Sequence, residues 1–284
     1  MPEYIAITPA RDEERFLPQL IACMSAQKHL PRRWTIIDDG STDATGAIVD
    51  AAARQHPWIR PVHVPLGRPR LPGGESAIMQ LLHEDAYQDV DYILRLDADI
   101  SFGPSFAESL LFEFASDPKL GIASGMLYEP DDGGWHEVVS PAFHTHGPAK
   151  AYSCACFRAI GGLEEGLGWD TIDDIGASML GFKTHAFQHI RVNHHRRQGT
   201  ARGVWPGFFN KGQAAYHVGY SPIFLIARAI RMVAVDGPLG ALAMTTGYLE
   251  GYVKRRPRVN NPELIRFVRC QQHRRLMMLD TVWR

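Results

Sequence analysis

Short apolar runs alternate with helix-period segments through the first hundred residues, and two of those runs end in aspartates. Trp34–Ile37 leads directly into Asp38-Asp39-Gly40-Ser41, and Tyr92–Leu96 leads into Asp97-Ala98-Asp99. A short run rich in β-branched and aromatic residues reads as a buried strand. Strands that alternate with helices pair in parallel through βαβ units. The carboxyl ends of parallel strands open onto one crevice, so both acidic clusters are expected at one rim of one sheet. Two aspartates one residue apart can both reach a hard divalent cation, which takes oxygen ligands and is commonly shared with substrate phosphates. The pattern points to chemistry on a nucleotide diphosphate.

The same reading places strands at Tyr4–Thr8, Trp34–Ile37, Ile59–Val64 and Tyr92–Leu96, with later ones at Ile122–Tyr128, Tyr152–Phe157 and Thr184–Val192. Helical spacing runs through Arg15–Gln27, Ala44–Gln55 and Glu75–Tyr87, with Ser41 or Thr42 as a cap for the second. Gly67–Gly74 is a Pro/Gly/Arg loop, and from Ser221 onward the pattern is helical. Repeats and low-complexity segments are absent.

The chain of 284 residues is 45% hydrophobic, enough for a sizeable core, and its net charge of −1 gives no reason to expect a nucleic-acid partner. Its four cysteines show no CxxC pair and no zinc spacing, which fits reduced, buried thiols in a cytosolic protein. On a strand, Cys154 and Cys156 would point the same way. Met1-Pro2-Glu3-Tyr4 passes straight into a strand pattern without the features of a signal peptide. An uninterrupted apolar run of 18 residues is lacking, so a membrane-spanning helix is not expected.

Thr8-Pro9-Ala10-Arg11-Asp12-Glu13-Glu14, then Asp38–Asp43, Asp97-Ala98-Asp99, Gly161-Gly162 and an acidic helix start follow one another in order. This series resembles the family 2 glycosyltransferases over roughly residues 3–200. The departure is Asp12, where that family usually has asparagine. The resemblance implies a GT-A fold, a Rossmann-like, mainly parallel α/β sheet flanked by helices. It implies a catalytic domain over 1–205, with a nucleotide-sugar half over about 1–100 and an acceptor half over about 101–205. Residues 206–284 would form a helical C-terminal extension. The implied activity is inverting transfer of a sugar from a nucleotide-sugar donor to a hydroxyl acceptor, with Mg2+ or Mn2+ as cofactor.

Residue by residue, the resemblance assigns Pro9, Ala10, Arg11 and Glu13 to the nucleotide-binding first loop. Asp38 and Asp39 would read the base or ribose, since a carboxylate accepts hydrogen bonds from N–H groups and hydroxyls. Arg68 and Arg70 lie in a loop where the family often has basic residues near the nucleotide. Asp97 and Asp99 would share one side of the chain, with Ala98 facing away, and by the resemblance would be the metal pair. The base that takes a proton from the acceptor hydroxyl falls at Asp170, Asp173 or Asp174, which share one helical face. Residues 191–202 hold four arginines, two histidines and no acid. There His194 or His195 would complete the metal shell, and Arg196, Arg197 and Arg202 would stabilise the leaving group. Trp135, His144 and His146 fall in the stretch that faces the acceptor.

The last third is apolar and basic. Pro222–Ala234 and Leu239–Val253 are apolar, the second interrupted by glycines. Residues 251–284 hold nine Lys/Arg against Glu263 and Asp280. Such helices fit an anionic membrane surface, packing on the catalytic domain, or a homodimer. A carbohydrate or lipid-linked acceptor, a role in bacterial surface polysaccharide or glycolipid assembly, and a cytoplasmic site, peripheral on the inner face of the membrane, follow as expectations. A nucleotidyltransferase making a nucleotide sugar would need a Gly-rich phosphate loop with a lysine, which Pro9–Arg15 lacks. A non-catalytic sugar-binding protein would be expected to have lost Asp97 and Asp99.

Overall fold

The run Tyr4-Ile5-Ala6-Ile7 continues to Ala10 as a strand, β1 (Tyr4–Ala10), buried at every position. A strand with no polar face has to lie inside a sheet covered on both sides. A computed structural model describes residues 2–65, 87–131, 133–164, 166–196, 204–235 and 237–283, and β1 lies in its middle. It pairs in parallel with β2 (Arg33–Asp38) on one side and β4 (Tyr92–Leu96) on the other. Outside β2 lies β3 (Ile59–His63), also parallel. Helices α1 (Leu17–Ser25) and α2 (Thr45–Gln55) make the crossovers from β1 to β2 and from β2 to β3. This is the expected βαβ half. The loop at 67–74 and the helix expected over 75–87, Tyr87 excepted, lie outside the described residues.

Beyond β4 the sheet is mixed. β8 (Ala149–Ser153) runs antiparallel to β4, and β6 (Leu120–Asp131) antiparallel to β8. Then β9 (Lys183–His194) pairs in parallel with β6, and β5 (Ile100–Phe102) closes the edge antiparallel to β9. A short β7 (Gly134–Glu137) folds back on β6. The order is β3-β2-β1-β4-β8-β6-β9-β5. One face is packed by α1, α2 and α3 (Phe106–Ser116), through Leu17, Leu20, Val49 and Leu110. The other is packed by α4 (Cys154–Ala159) and α5 (Trp169–Met179), through Phe157 and Trp169 against Ile5, Ile93 and Tyr152.

Two local expectations are corrected. The strand expected over Tyr152–Phe157 stops at Ser153, whose hydroxyl accepts from the Cys156 N–H and caps α4. Cys154 and Cys156 are therefore helical, and burial pushes their thiols up to about 11 and about 12. Cys270, by contrast, is exposed. Neither Ser41 nor Thr42 caps α2. The Asp43 carboxylate takes the Thr45 N–H at 2.9 Å, and Ser41 and Thr42 bond to Asp12 instead.

The C-terminal helices are α6 (Val204–Val218), α7 (Pro222–Val235), α8 (Gly237–Val253) and α9 (Pro262–Leu276). α6, α7 and α8 share a core of Tyr216, Leu225, Met232, Met244 and Tyr248. A second cluster joins Ile172 and Ile175 of α5 to Val218, Val259, Leu264 and Val268. The glycines of α8 have a packing reason: a side chain on Gly247 would collide with the backbone of Phe209 on α6. Among the described residues no helix is long and apolar enough to cross a membrane.

Candidate active site

Parallel pairing sets Ala10 opposite Asp38 and brings the ends of β1, β2 and β4 to one rim. Two loops meet there. Asp12, in the left-handed region at φ 54°, accepts from the Thr42 N–H at 2.8 Å and the Thr42 hydroxyl at 3.2 Å through Oδ1. An asparagine carbonyl could fill that acceptor role equally, which accounts for the departure noted at this position. The Asp39 N–H donates to the Ala10 carbonyl at 2.8 Å, and its carboxylate lies 3.8 Å from Arg11. Asp38 is engaged internally: Oδ1 accepts from the Ser41 N–H at 3.0 Å and Oδ2 contacts His63 Nδ1 at 3.1 Å. Burial opposes the Asp38 charge, but these bonds hold its carboxyl below the usual range. Asp39 is the freer acceptor of the pair.

Asp97-Ala98-Asp99 links β4 to β5. The Asp97 N–H donates to the Pro148 carbonyl at 2.8 Å, and Oδ1 pairs with buried Arg95 at 2.6 Å. Asp99 is buried, with Oδ2 3.3 Å from His194 Nε2 and 2.6 Å from Arg196 Nε. The other ring nitrogen of His194 lies 3.3 Å from Glu129. Ligand atoms of Asp97, Asp99 and His194 all fall within 4.8 Å of one another. Two hard carboxylates and an imidazole fit a divalent cation such as Mn2+ or Mg2+. Burial works against the Asp99 charge, yet His194 and Arg196 outweigh it and bring its pKa down to about 2. Burial likewise disfavours the His194 cation, while Asp99 and Glu129 raise it to about 9. Arg196 also pairs with Glu13, whose Oε2 is buried with no partner among the described residues. His195 turns away to Ser101 at 2.9 Å and packs between Phe16 and the exposed Trp135.

The acidic triplet separates by burial. Asp173 Oδ1 lies 2.7 Å from Lys150 Nζ, and Oδ2 accepts from the Tyr152 hydroxyl at 2.6 Å. Asp174 takes the Thr145 N–H at 3.0 Å, the Thr145 hydroxyl at 2.6 Å and His144 at 3.2 Å. Both are almost fully buried, and Lys150 is wholly so. Burial pushes Asp173 up, whereas Lys150 and His144 overcome burial and hold Asp174 down. Asp170, in the first turn of α5, is partly exposed, and its carboxylate accepts no hydrogen bond from a described residue. A side chain built on Gly147 would lie 3.5 Å from Asp170 Oδ2. Arg95 donates to the Gly147 carbonyl at 2.5 Å while it holds Asp97, and its guanidinium lies 4.7 Å from the Trp169 ring centroid. One arginine thus connects the acid pair to the neighbourhood of Asp170.

Arg95, Lys150, Tyr152, Glu129 and His63 were not singled out from the sequence. For Arg95 and Lys150 a signal existed: each is a lone cation inside an apolar run, Leu94-Arg95-Leu96 and Ala149-Lys150-Ala151. His146 is buried and driven down to about 4 by burial. It lies 3.2 Å from Ser140, a packed histidine. Arg68, Arg70, Arg197 and Arg202 lie outside the described residues.

A half-parallel, half-mixed sheet with an acid pair at the end of β4 is the architecture of a GT-A glycosyltransferase. The sequence matches the glycosyl transferase family 2 over residues 5–161, and the chain belongs to that family. Solved structures of the same fold include the mannosyltransferase PcManGT from Pyrobaculum calidifontis, in complex with GDP-Man and Mn2+. It is 15% identical at a TM-score of 0.59, over 99% of this chain and 82% of that one. S. aureus TarS 1–349 with UDP-GlcNAc is 14% identical at 0.57, over 91% and 74%. GalNAc-T7 with UDP, GalNAc and Mn2+ is 14% identical at 0.60, over 89% and 55%. No curated protein matches the chain.

Proposed function

We propose that this glycosyltransferase is metal-dependent and inverting, and that it moves a sugar from a nucleoside-diphosphate donor to a hydroxyl of a carbohydrate or lipid-linked acceptor. The observation that carries the reading is the Asp97/Asp99/His194 cluster, with Arg95 bonded to both Asp97 and the Gly147 carbonyl, and Gly147 lying near Asp170, the acid of the triplet whose carboxylate accepts no hydrogen bond among the described residues. Asp39 and Glu13 offer acceptors to the nucleoside. Asp97, Asp99 and His194 would hold the cation, which when bound neutralises charge on the departing diphosphate. Arg196 turns its guanidinium to that diphosphate. Asp170 takes the proton of the acceptor hydroxyl as its oxygen attacks the anomeric carbon. Asp173 and Asp174 act on structure, because their oxygens are committed to Lys150, Tyr152, Thr145 and His144.

Residues 1–205 are proposed as the catalytic unit and 206–284 as an extension that carries it to a membrane surface, in surface-polysaccharide or glycolipid assembly. The test is a thermal-shift screen of nucleoside diphosphates and their sugars with and without Mn2+. A ligand that binds only the native state raises the melting temperature by mass action. Stabilisation by one nucleoside diphosphate only with Mn2+ supports the reading; no stabilisation by any of them sinks it.

A further inference from the structure

A cavity of about 440 Å3 lies between α5, α7 and α9, and Thr171, the neighbour of the candidate base on α5, lines it. Its walls include Thr171, the residue after Asp170, and Ile175 on α5; Phe224 and Ala227 on α7; Leu276 on α9; and Trp283. Trp283 stacks on Phe143 with ring centroids 5.5 Å apart, which gives the cavity an aromatic wall. Such a lining takes a hydrocarbon chain.

The rim is cationic. Arg228 and Arg231 stand one turn apart on α7, and Arg275 lies across from them on α9, 6.0 Å from the Phe143 ring centroid. None of the three is within ion-pair distance of a carboxylate among the described residues. The acid in the wall, Asp174, is already matched by Lys150 and His144. Apolar walls with three arginines free of acids at the rim complement an anionic amphiphile, and arginine suits phosphate by its forked donors.

The outer faces of α7, α8 and α9 say where that amphiphile comes from. On α7, Ile223, Ile226, Ile230 and Val233 fall in one exposed stripe, and on α8 Leu239, Leu242, Leu249 and Val253 form another. Spacings of three, four and seven residues put each set on one side of its helix. Leu276 both lines the cavity and begins an exposed apolar run through Leu279. On α9 the exposed apolar run therefore starts at the cavity wall. Exposed apolar helix faces flanked by arginines suit a helix lying at the boundary between headgroups and acyl chains.

We propose that this cavity is the acceptor site for a membrane lipid, seating its phosphate at Arg228, Arg231 and Arg275 and the adjoining part of its chain among Phe143, Phe224 and Trp283. The assignment rests on the glycosyltransferase reading and names its acceptor class, a lipid whose phosphate links the chain to a hydroxyl-bearing head. That hydroxyl reaches Asp170 past Thr171 and Asp174, the cavity-lining residues next to it and one turn on along α5. Its proton passes to the Asp170 carboxylate, its oxygen bonds the anomeric carbon, and the donor carbon–oxygen bond breaks with its electron pair leaving on the nucleoside diphosphate.

The test uses the full chain and calorimetry with dodecyl phosphate below its micelle concentration, against dodecyl maltoside and inorganic phosphate. Dodecyl phosphate is expected to bind, the other two at least about tenfold more weakly, and the Arg228→Gln/Arg275→Gln variant to lose about tenfold, the worth of a charged hydrogen bond. Arg231→Gln alone repeats the measurement if the double variant does not fold. Equal binding of the neutral detergent, or undiminished binding by both variants, overturns the assignment. Binding of a nucleoside diphosphate with Mn2+ is measured in the same preparations. If it binds and dodecyl phosphate does not, the lipid site fails while the donor reading stands. If dodecyl phosphate alone binds as expected, the lipid site stands and the donor reading fails.

Discussion

Arg196 Nε lies 2.6 Å from Asp99 Oδ2, so a cation from the end of β9 rests on a carboxylate suited to hold a metal. The same guanidinium bonds Glu13 in the first loop. A divalent ion at Asp99 and the Arg196 charge repel each other, whereas a diphosphate attracts both. Arg196→Gln is therefore expected to bind Mn2+ alone more tightly, yet bind the nucleoside diphosphate with Mn2+ about tenfold more weakly. Calorimetry of the two titrations reads the split, and a variant that weakens both equally would contradict it. Asp99→Asn should lose the Mn2+ dependence altogether.

Lys150 is fully buried against Asp173 and Asp174, and it also donates to the Asp170 carbonyl at 2.5 Å. Removing one member of a buried ion cluster leaves the others uncompensated, at a cost of about 3–5 kcal/mol. Lys150→Met should lower stability by about that amount in denaturant unfolding. Asp173→Asn should also destabilise, though less, since amide and carboxyl are nearly isosteric.

Asp170→Asn should behave in the opposite way. Its side chain is partly exposed and accepts no hydrogen bond from a described residue, so stability and nucleoside-diphosphate binding are expected to stay near wild type. Loss of a general base typically costs about 10²–10⁴-fold in turnover. Full transfer by Asp170→Asn, measured once an acceptor is in hand, would move the base elsewhere.

These contrasts mark where the sequence stops being legible. The parallel half was readable because β1, β2 and β4 each carry a short, largely apolar run that leads into a cluster of acids. The short β5 and the exposed β7 carry too little pattern to be seen. The sequence also left Asp170, Asp173 and Asp174 equivalent on one helix face. What separates them is Lys150 on β8, some twenty residues away, and a long-range ion pair leaves no local periodicity. His194 and His195 were likewise indistinguishable as neighbours; strand alternation turns one to Asp99 and the other to Ser101. The glycines of α8 looked like interruptions, although they let α6 approach.

His63 lies between Asp50 and Asp38, at 3.0 and 3.1 Å. Bonds to Asp50, then to Asp38, raise its pKa above the usual histidine value against a smaller cost of burial. A histidine raised in the folded state adds stability that is full below its unfolded pKa and fades as pH rises through the folded one. The melting-temperature loss caused by His63→Gln should thus be largest between about pH 4 and 6.5, where the acids are charged and the unfolded histidine still binds its proton. Above that window it should shrink. Partial exposure of His63 keeps the effect small. A loss that grows with pH would contradict the arrangement.

Gly247 of α8 faces the backbone of Phe209 on α6, and Gly212 of α6 faces that of Met244 on α8. Each helix lacks a side chain where the other's backbone passes. A methyl group at either position cannot be absorbed by a rotamer change, because the obstacle is main chain. Gly247→Ala is expected to cost about 1–3 kcal/mol or more through forced separation of the helices. Gly237, with open space around its missing side chain but φ +81°, offers a comparison in which strain is conformational alone. Gly237→Ala should therefore destabilise by about 1 kcal/mol, less than Gly247→Ala. Denaturant unfolding of the two variants separates close packing from backbone preference, and equal losses would mean that the helices part without cost.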